Sequence, residues 1–270
     1  MKRIENISEA EREKLLQCLY KEEIFQTFTI HSLQHNWFQV CYINKDNEQI
    51  TSMLIVTDEG NCFYTTFWVR NKKELHIIAK QLQALKDNRI LLAGKRAEVQ
   101  EIMQYLRIEE EASTDFCYVY DKGNVTETDG NQIRKAMINE EDICYIQQFY
   151  KSFFQPSTEA ELEKIRNRRK IESDIQKGLY FVMEGDEPVG MGRYGSVTKH
   201  YVELTTMYVK ARFRGKGYGK TLLNGLIHSC LTAGKQPILQ TSYDNREARG
   251  LYEKIGFTQI GEYSFQFMRR

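Results

Sequence analysis

The chain has 270 residues, of which 41% are hydrophobic and 28% charged, so it can fill a folded core and is too apolar for a disordered protein. Its formal net charge of +1 argues against a protein that binds nucleic acid or an anionic membrane through long-range charge. The length predicts one large domain or two medium ones.

Cysteine usage and the first residues both indicate a cytoplasmic protein. The six cysteines are scattered without a Cys-x-x-Cys pair, which favours reduced, mostly buried thiols over disulfides or zinc ligands. The N-terminal stretch from Met1 to Asn6 leads into charged residues rather than an apolar run. We therefore expect no signal peptide, no membrane span and a cytoplasmic location.

The first half changes from a helical to a strand pattern at Trp37. Before this residue, Ser8 is predicted to cap a helical stretch over residues 8–36. After it, a meander of strands is followed by alternating helices and strands. The predicted strands are 38–43, 50–56, 62–69, 89–93 and 116–120, and the predicted helices are 74–85 and 97–106.

His31 and His35 lie four residues apart in the first helical stretch and could form a metal pair. The zinc-protease motif needs Glu directly after the first His, and position 32 is Ser. A pair without a third ligand binds metal weakly, so we predict packing or surface roles and no metal site.

The second half repeats the same order of elements. Helices are predicted at 139–155, 158–176 and 246–255, with another after residue 219, and strands at 180–183, 189–196, 201–209, 237–242 and 257–267. The order β-β-β-α-β-α-β thus occurs twice, with Val69 and Val209 in matching places. Two tandem copies of one plan, or an unrelated α/β domain in front of the second half, both fit this pattern. The polar stretch 125–130 is the predicted linker.

A basic, glycine-rich loop separates the strand 201–209 from the helix that follows it. Glycines at 215, 217 and 219 allow close backbone approach, and the first N–H groups of the helix offer an anion site. A Walker loop would need glycine at position 214, which is Arg. The dinucleotide fingerprint also fails on spacing.

Two segments of the second half resemble the GNAT superfamily of acyl-CoA-dependent N-acyltransferases. Arg214-Gly-Lys-Gly-Tyr-Gly219 is similar to that family's Arg/Gln-x-x-Gly-x-Gly/Ala motif, and Met207-Tyr-Val209 to its fourth strand. Asn245-Arg-Glu-Ala-Arg-Gly-Leu-Tyr-Glu-Lys-Ile-Gly-Phe257 resembles its second CoA-side segment. The resemblance covers residues 131–265. It implies a mixed α/β fold of two tandem GNAT-like domains: a degenerate domain 1–126 without a CoA loop and a catalytic domain 127–270.

This resemblance implies acetyl-CoA as co-substrate and no metal. The N–H groups of residues 214–220 are expected to bind the pyrophosphate, and Asn245 both to cap its helix and to contact the pantetheine arm. The strand before the loop implies pantetheine contacts through Met207 and Val209. The complete predicted cofactor set is Met207, Tyr208, Val209, Arg214, Gly215, Lys216, Gly217, Tyr218, Gly219, Lys220 and Asn245.

The implied reaction is direct attack of an amine on the thioester carbonyl. The Val209 N–H is the expected oxyanion donor, and Tyr252 matches the family's tyrosine acid, with helix-face packing as the alternative. Strand alternation would place Tyr201, Glu203, Thr205, Met207 and Val209 on one face. Glu203 is therefore either the base or a surface residue. His200 is a weaker candidate base.

The acceptor is expected to be a small-molecule or peptide amine, with no nucleic-acid or membrane partner. The segment 150–157 lies where the family's acceptor-binding elements sit, although its aromatic residues suit a core equally well. The competing function is a non-catalytic acyl-CoA-binding or regulatory module. The sequence does not decide between a monomer and a homodimer.

Overall fold

The fold is known from a computed structural model, which describes residues 1–60, 62–85, 87, 89–121 and 132–268. The predicted linker 125–130 and the boundary at residue 126 lie outside the described residues. The chain divides into two compact units. Unit 1 comprises Met1–Cys117, Thr241–Asp244 and Gln259–Arg270, and unit 2 comprises Tyr118–Gln240 and Asn245–Thr258.

The elements of the first half follow the predicted order with small shifts at their ends. Ser8 caps the first helix as predicted, because its Oγ accepts the N–H of Glu11 at 3.3 Å. The helical stretch is interrupted by a 3₁₀ segment at Tyr20–Phe25, and the first strand, β1, was not predicted. The elements are β1 (Lys2–Ile4), α1 (Glu9–Leu19), α2 (Thr27–Gln34), β2 (Val40–Asp46), β3 (Gln49–Asp58), β4 (Phe63–Val69), α3 (Leu75–Leu85), β5 (Ile90–Lys95), α4 (Arg96–Leu106) and β6 (Ser113–Tyr120).

The second half differs from prediction mainly in one helix and one added strand. The predicted helix 158–176 is two helices, because Asn167 leaves the helical conformation and its Oδ1 accepts the N–H of Lys170 at 3.2 Å. Strand β7 was not predicted. The elements are β7 (Ile133–Lys135), α5 (Glu140–Phe154), α6 (Glu159–Arg166), α7 (Arg168–Gly178), β8 (Leu179–Glu184), β9 (Glu187–Val197), β10 (Tyr201–Val209), α8 (Tyr218–Thr232), β11 (Gln236–Ser242), α9 (Arg246–Ile255) and β12 (Phe257–Phe267).

The repeated element order is confirmed. It runs β2-β3-β4-α3-β5-α4-β6 in the first half and β8-β9-β10-α8-β11-α9-β12 in the second. In both copies the third strand runs parallel to the fourth, as β4 does to β5 and β10 to β11. The chain therefore has a mixed α/β fold in which each half contains a mixed sheet flanked by helices.

Most of the last strand, β12, belongs to unit 1 rather than to unit 2. Residues Tyr263–Phe267 of β12 pair antiparallel with β5, at Lys95 to Leu91, inside unit 1. The compact units therefore do not follow the chain at its C-terminal end.

In unit 2, the strands β11, β10, β9, β8 and β7 are neighbours in that order. A buried cluster from α5, α7, β8 and β9 fills one side of this sheet. The apolar residues of α8 are buried from Leu222 to Cys230, whereas Leu231 near the end of the helix is exposed. The hydrophobic spacing that predicted these helices is thus the spacing of the core. Among the described residues, no helix combines the length and the apolar character needed to cross a membrane.

Candidate active site

Strands β10 and β11 separate halfway along β10. Their parallel pairing joins Tyr201–Leu204 to Gln236–Leu239. Beyond Leu204, β10 continues to Val209 and pairs with β9 on its other edge, where Val209 lies opposite Gly190. The end of β10 that leads into the glycine loop thus presents a backbone edge beyond the residues that pair with β11.

A β-bulge interrupts β10 at this end. Thr205 pairs with Arg193 and Tyr208 with Met191, so β10 has one residue more than β9 between these pairs. Thr206 takes the extra place, with a left-handed φ of 54°. This conformation is rare for a β-branched residue.

The bulge overturns the prediction that Glu203, Thr205, Met207 and Val209 share one face. A methyl group on Gly192 would lie 2.5 Å from Met207 Sδ and 2.8 Å from the Leu226 side chain of α8, so Met207 faces α8. Val209 also faces α8, whereas the Tyr208 ring packs 5.8 Å from that of Phe149 on α5. The alternation fails because an added residue exchanges the two faces for everything that follows.

The predicted base, Glu203, lies on the other face from Val209. Its Oε2 accepts the N–H of Ser196 at 3.2 Å, and a methyl group on Gly195 would lie 2.8 Å from the same oxygen and 3.2 Å from Thr205. The carboxylate of Glu203 is therefore seated over β9 next to Thr205.

The glycine loop has the backbone that an anion site needs. Gly215 and Gly217 have φ values of 73° and 92°, and a methyl group on either would meet nothing within 4 Å. Gly217 is the N-cap residue of α8, and no side chain caps this end. The first N–H groups of α8 therefore point out of a 15-residue helix beside open space, where a phosphate would be bound favourably.

Gly219 brings the three predicted CoA segments together. A methyl group placed on it would lie 3.6 Å from Leu251 of α9 and 4.0 Å from Val209 of β10. The strand end, the start of α8 and the α9 helix thus converge at this glycine. Unit 2 thus brings together segments that belong to two motifs distant from each other in the sequence.

The basic side chains of the loop are arranged in two ways. Arg214 folds back and donates from Nε to the Val209 carbonyl at 3.1 Å, with its guanidinium 5.7 Å from the Tyr208 ring. Lys216 lies 5.4 Å from the Phe213 ring. Arg214 thus ties the loop to the end of β10, while the exposed Lys216 and Lys220 lie near the start of α8.

The side chain of Tyr218, the first residue of α8, is held by contacts outside its own helix. Its hydroxyl donates to Glu184, the last residue of β8, and its ring meets that of Phe213 edge-on at 5.7 Å. A role in positioning the loop follows directly from these contacts, whereas a direct contact of the Tyr218 side chain with CoA remains a prediction.

Asn245 caps the start of α9, and Tyr252 lies in the last turn of this helix. Asn245 Oδ1 accepts the N–H of Ala248 at 3.2 Å, so the predicted capping role is confirmed. Tyr252 is buried, with its ring 6.0 Å from the rings of both Tyr118 and Phe257. Burial, together with the nearby Tyr118, raises the pKa of Tyr252 to about 12.

Sequence reasoning missed a polar network beside the bulge. Arg193 Nε donates to Thr206 Oγ1 at 3.1 Å, and Asp174, which pairs with Arg193, accepts the Tyr150 hydroxyl at 2.8 Å. One signal was present: Asp174 lies among the buried isoleucines of an otherwise apolar helix face, where a charge needs a partner.

Metal binding finds no support in the part of the chain that is described. No group of three or more His, Cys, Asp or Glu residues there could hold an ion. His31 is buried and His35 is exposed, with their rings 4.4 Å apart, which agrees with the packing or surface roles that were predicted.

Comparison with known proteins defines the class. Over nearly its whole length, 99%, the chain has the fold of a GNAT-family acetyltransferase from Colwellia psychrerythraea, with a TM-score of 0.66, 16% identity and 100% of that chain covered. A tandem GNAT protein from the clavulanic acid biosynthesis pathway superposes with a TM-score of 0.67 at 9% identity, covering 98% of this chain and 97% of that one. The molecule therefore has a tandem GNAT fold.

Sequence comparison gives the family. Residues 139–257 match the model of the "Acetyltransferase (GNAT) family", and this stretch belongs to that family, whose members use acetyl-CoA as co-substrate. Over 84 residues the chain is 40% identical to the mycothiol acetyltransferase of Corynebacterium efficiens and 37% identical to that of Corynebacterium glutamicum. Each match covers 30% of this chain, and 27% and 28% of the two relatives, so the chain spans under a third of their length.

Proposed function

We propose that unit 2 is an N-acetyltransferase that moves the acetyl group of acetyl-CoA directly to a primary amine in a ternary complex. The observation that carries this proposal is the uncapped start of α8, entered through left-handed glycines beside the separated edge of β10. A helix start of this kind suits a pyrophosphate, and a free strand edge suits the amides of a pantetheine arm.

The residues present fit acetyl-CoA, which supplies an activated acetyl group when bound. The N–H groups of residues 214–220 would hold the pyrophosphate, with Lys216 and Lys220 adding positive charge. Charge-assisted hydrogen bonds are worth about 1.5–3 kcal/mol each, so several together support micromolar binding. The backbone of Met207, Tyr208 and Val209 would orient the arm, with the Val209 N–H as oxyanion donor and Asn245 as a further contact.

Two side chains are proposed to handle protons. Glu203 takes the proton of the amine, directly or through water, from its place on β10, where its Oε2 also accepts the N–H of Ser196. Tyr252, with its pKa raised to about 12, keeps its proton at neutral pH. A thiol has an ordinary pKa of about 8.5, so full transfer from this tyrosine is uphill, and Tyr252 would serve the leaving thiolate mainly as a hydrogen-bond donor.

Unit 1 is proposed to bind no CoA. The Phe67 carbonyl in β4, at the place of Met207 in β10, already accepts the Gln26 side-chain amide at 3.0 Å. The Phe67 ring lies where a methyl group on Gly94 would be, 2.6 Å away, so this side chain fills the space beside β5. Strand β4 pairs with β3 without a bulge as far as Val69, and the chain then enters α3 without a glycine.

The acceptor is proposed to be a small-molecule or peptide amine. The C-terminal end of α5 carries the exposed aromatic residues Phe153 and Phe154, whose ring centroids are 4.9 Å apart. These rings offer an apolar wall for the part of the acceptor that does not react. Because the matched relatives are mycothiol acetyltransferases, their acceptor belongs in any panel of trial amines.

The test is thiol release from acetyl-CoA with a panel of amines, run on the full chain and on Tyr252→Phe. We expect amine-dependent release by the wild type and a slower rate in Tyr252→Phe with an unchanged dissociation constant for CoA. Tight CoA binding without amine-dependent release by the wild type would instead favour a non-catalytic binding module. Failure to bind CoA at all would refute both functions.

A further inference from the structure

The bulge in β10 is held in an unfavourable backbone conformation. Thr206 has a φ of 54° in the middle of a strand and is buried. A β-branched residue in the left-handed region is strained, and such strain persists only where surrounding contacts impose it. The contacts that impose it here therefore decide the path of the following residues, Met207 to Val209.

A chain of hydrogen bonds ends on the Thr206 side chain. Arg193 of β9 donates from Nε to Thr206 Oγ1 at 3.1 Å and from Nη1 to the Tyr194 carbonyl at 3.2 Å. The same Nη1 lies 3.4 Å from Asp174 Oδ1 in α7. The other oxygen of Asp174 accepts the Tyr150 hydroxyl of α5 at 2.8 Å. Three elements, β9, α7 and α5, are thus linked to the bulged residue of β10.

The charged pair in this chain is largely withdrawn from solvent. The side chains of Arg193 and Asp174 are 17% and 5% exposed. Removing one member of such a pair leaves an uncompensated buried charge, so the arrangement tends to be kept whole. Burial also raises the pKa of Tyr150, so its hydroxyl stays a donor to Asp174.

We propose that Arg193, Asp174 and Tyr150 are positioning residues that hold Thr206 in its left-handed conformation and so fix the backbone edge at Met207–Val209 against which the thioester is oriented. This inference rests on the proposed function of unit 2, because the oriented ligand is acetyl-CoA. None of the three residues needs to touch the reacting atoms. Their effect is carried by the bulge alone.

The central variant is Arg193→Met, which removes the donor to Thr206 and keeps most of the apolar stem. We expect kcat to fall roughly a hundredfold, because a small misplacement of the reacting groups has that effect. The dissociation constant for CoA should change much less, because the pyrophosphate site at α8 lies outside the network. Amide hydrogen exchange of residues 205–209, measured without CoA, should become faster.

The matched control is Arg134→Met. Arg134 also pairs with a buried aspartate of unit 2, Asp142, through two hydrogen bonds of 2.7 and 2.8 Å, and this pair joins β7 to α5 rather than β9 to β10. Its loss should lower the unfolding midpoint and leave kcat and the exchange of residues 205–209 unchanged. Tyr150→Phe is the milder second variant, should Arg193→Met fail to fold.

The decisive experiment is a rescue. In the double variant Arg193→Met, Thr206→Gly, glycine adopts a positive φ without help, so the bulge should re-form and most of the lost kcat should return. A purely stabilising network predicts the opposite, because Thr206→Gly removes a further buried side chain.

Unchanged kcat in Arg193→Met, or a double variant as slow as the single one, would overturn the proposal. If the wild type neither binds CoA nor releases thiol, the proposed function fails instead. Hydrogen exchange then still decides the role of the network, because exchange of residues 205–209 that is unchanged in Arg193→Met overturns it.

Discussion

Two glycines at opposite ends of α8 allow the anion site to be tested separately from stability. Gly217 caps the start of the helix with a φ of 92°, and Gly234 follows its end with a φ of 69°. A methyl group on either would meet nothing within 4 Å. Substitution by alanine therefore acts on the free protein through backbone strain alone.

The expected loss of stability is the same for both variants. An L-residue forced into the left-handed region costs about 1–2 kcal/mol, so Gly217→Ala and Gly234→Ala should lower the free energy of unfolding by that amount. Gly217→Ala should in addition turn the first N–H groups of α8 away from the pyrophosphate. Losing one charge-assisted bond of about 1.5–3 kcal/mol weakens CoA binding by roughly ten- to a hundredfold.

The assay is a pair of measurements on each variant: urea unfolding without ligand, and calorimetric titration with CoA. We expect similar unfolding losses, with the weaker binding confined to Gly217→Ala. Equal dissociation constants for both variants and the wild type would refute the assignment of the loop, whatever the stabilities show.

Three further predictions follow from other contacts. Glu203→Gln should lower kcat/KM about a hundredfold near pH 7, and alkaline buffer, in which the amine is already deprotonated, should partly restore it. Gly195→Ala, whose methyl group would displace the Glu203 carboxylate, should change the pH profile in the same direction but less. If the pH profile is unchanged in both variants, Glu203 is not the base. Burial raises the pKa of Asp142, but hydrogen bonds from Arg134 and from a backbone N–H outweigh burial and leave it below 3.8. The stability from this carboxylate is therefore present above pH 3.8 and lost as pH falls through the lowered folded value. Asp142→Asn should remove about 2 kcal/mol at pH 7 and flatten that acid limb in urea titrations, and a limb of unchanged steepness would contradict the assignment. Cys144, whose side chain is exposed, should be alkylated in the native protein before the buried cysteines, as mass spectrometry of timed samples can show; equal labelling of a buried thiol would contradict the packing.

Local sequence patterns predict much of the fold. The bounds of β10 and α9 agree with prediction to the residue, because alternation and helical spacing are properties of a short stretch. The loop of glycines at 215, 217 and 219 could also be recognised locally, because Gly215 and Gly217 adopt backbone angles that other residues avoid. The order of elements, and with it the tandem plan, could be read in the same way.

Tertiary structure decided the features that depend on distant partners. The partner of a strand is not encoded in its own propensity, so the pairing of Tyr263–Phe267 with β5 could not be read from the last strand. The bulge at Thr206 depends on Arg193 and Asp174, which other elements bring to it. Local alternation therefore placed Met207 and Val209 on the wrong face, because one added residue, held by contacts that are remote in sequence, reverses every side chain after it.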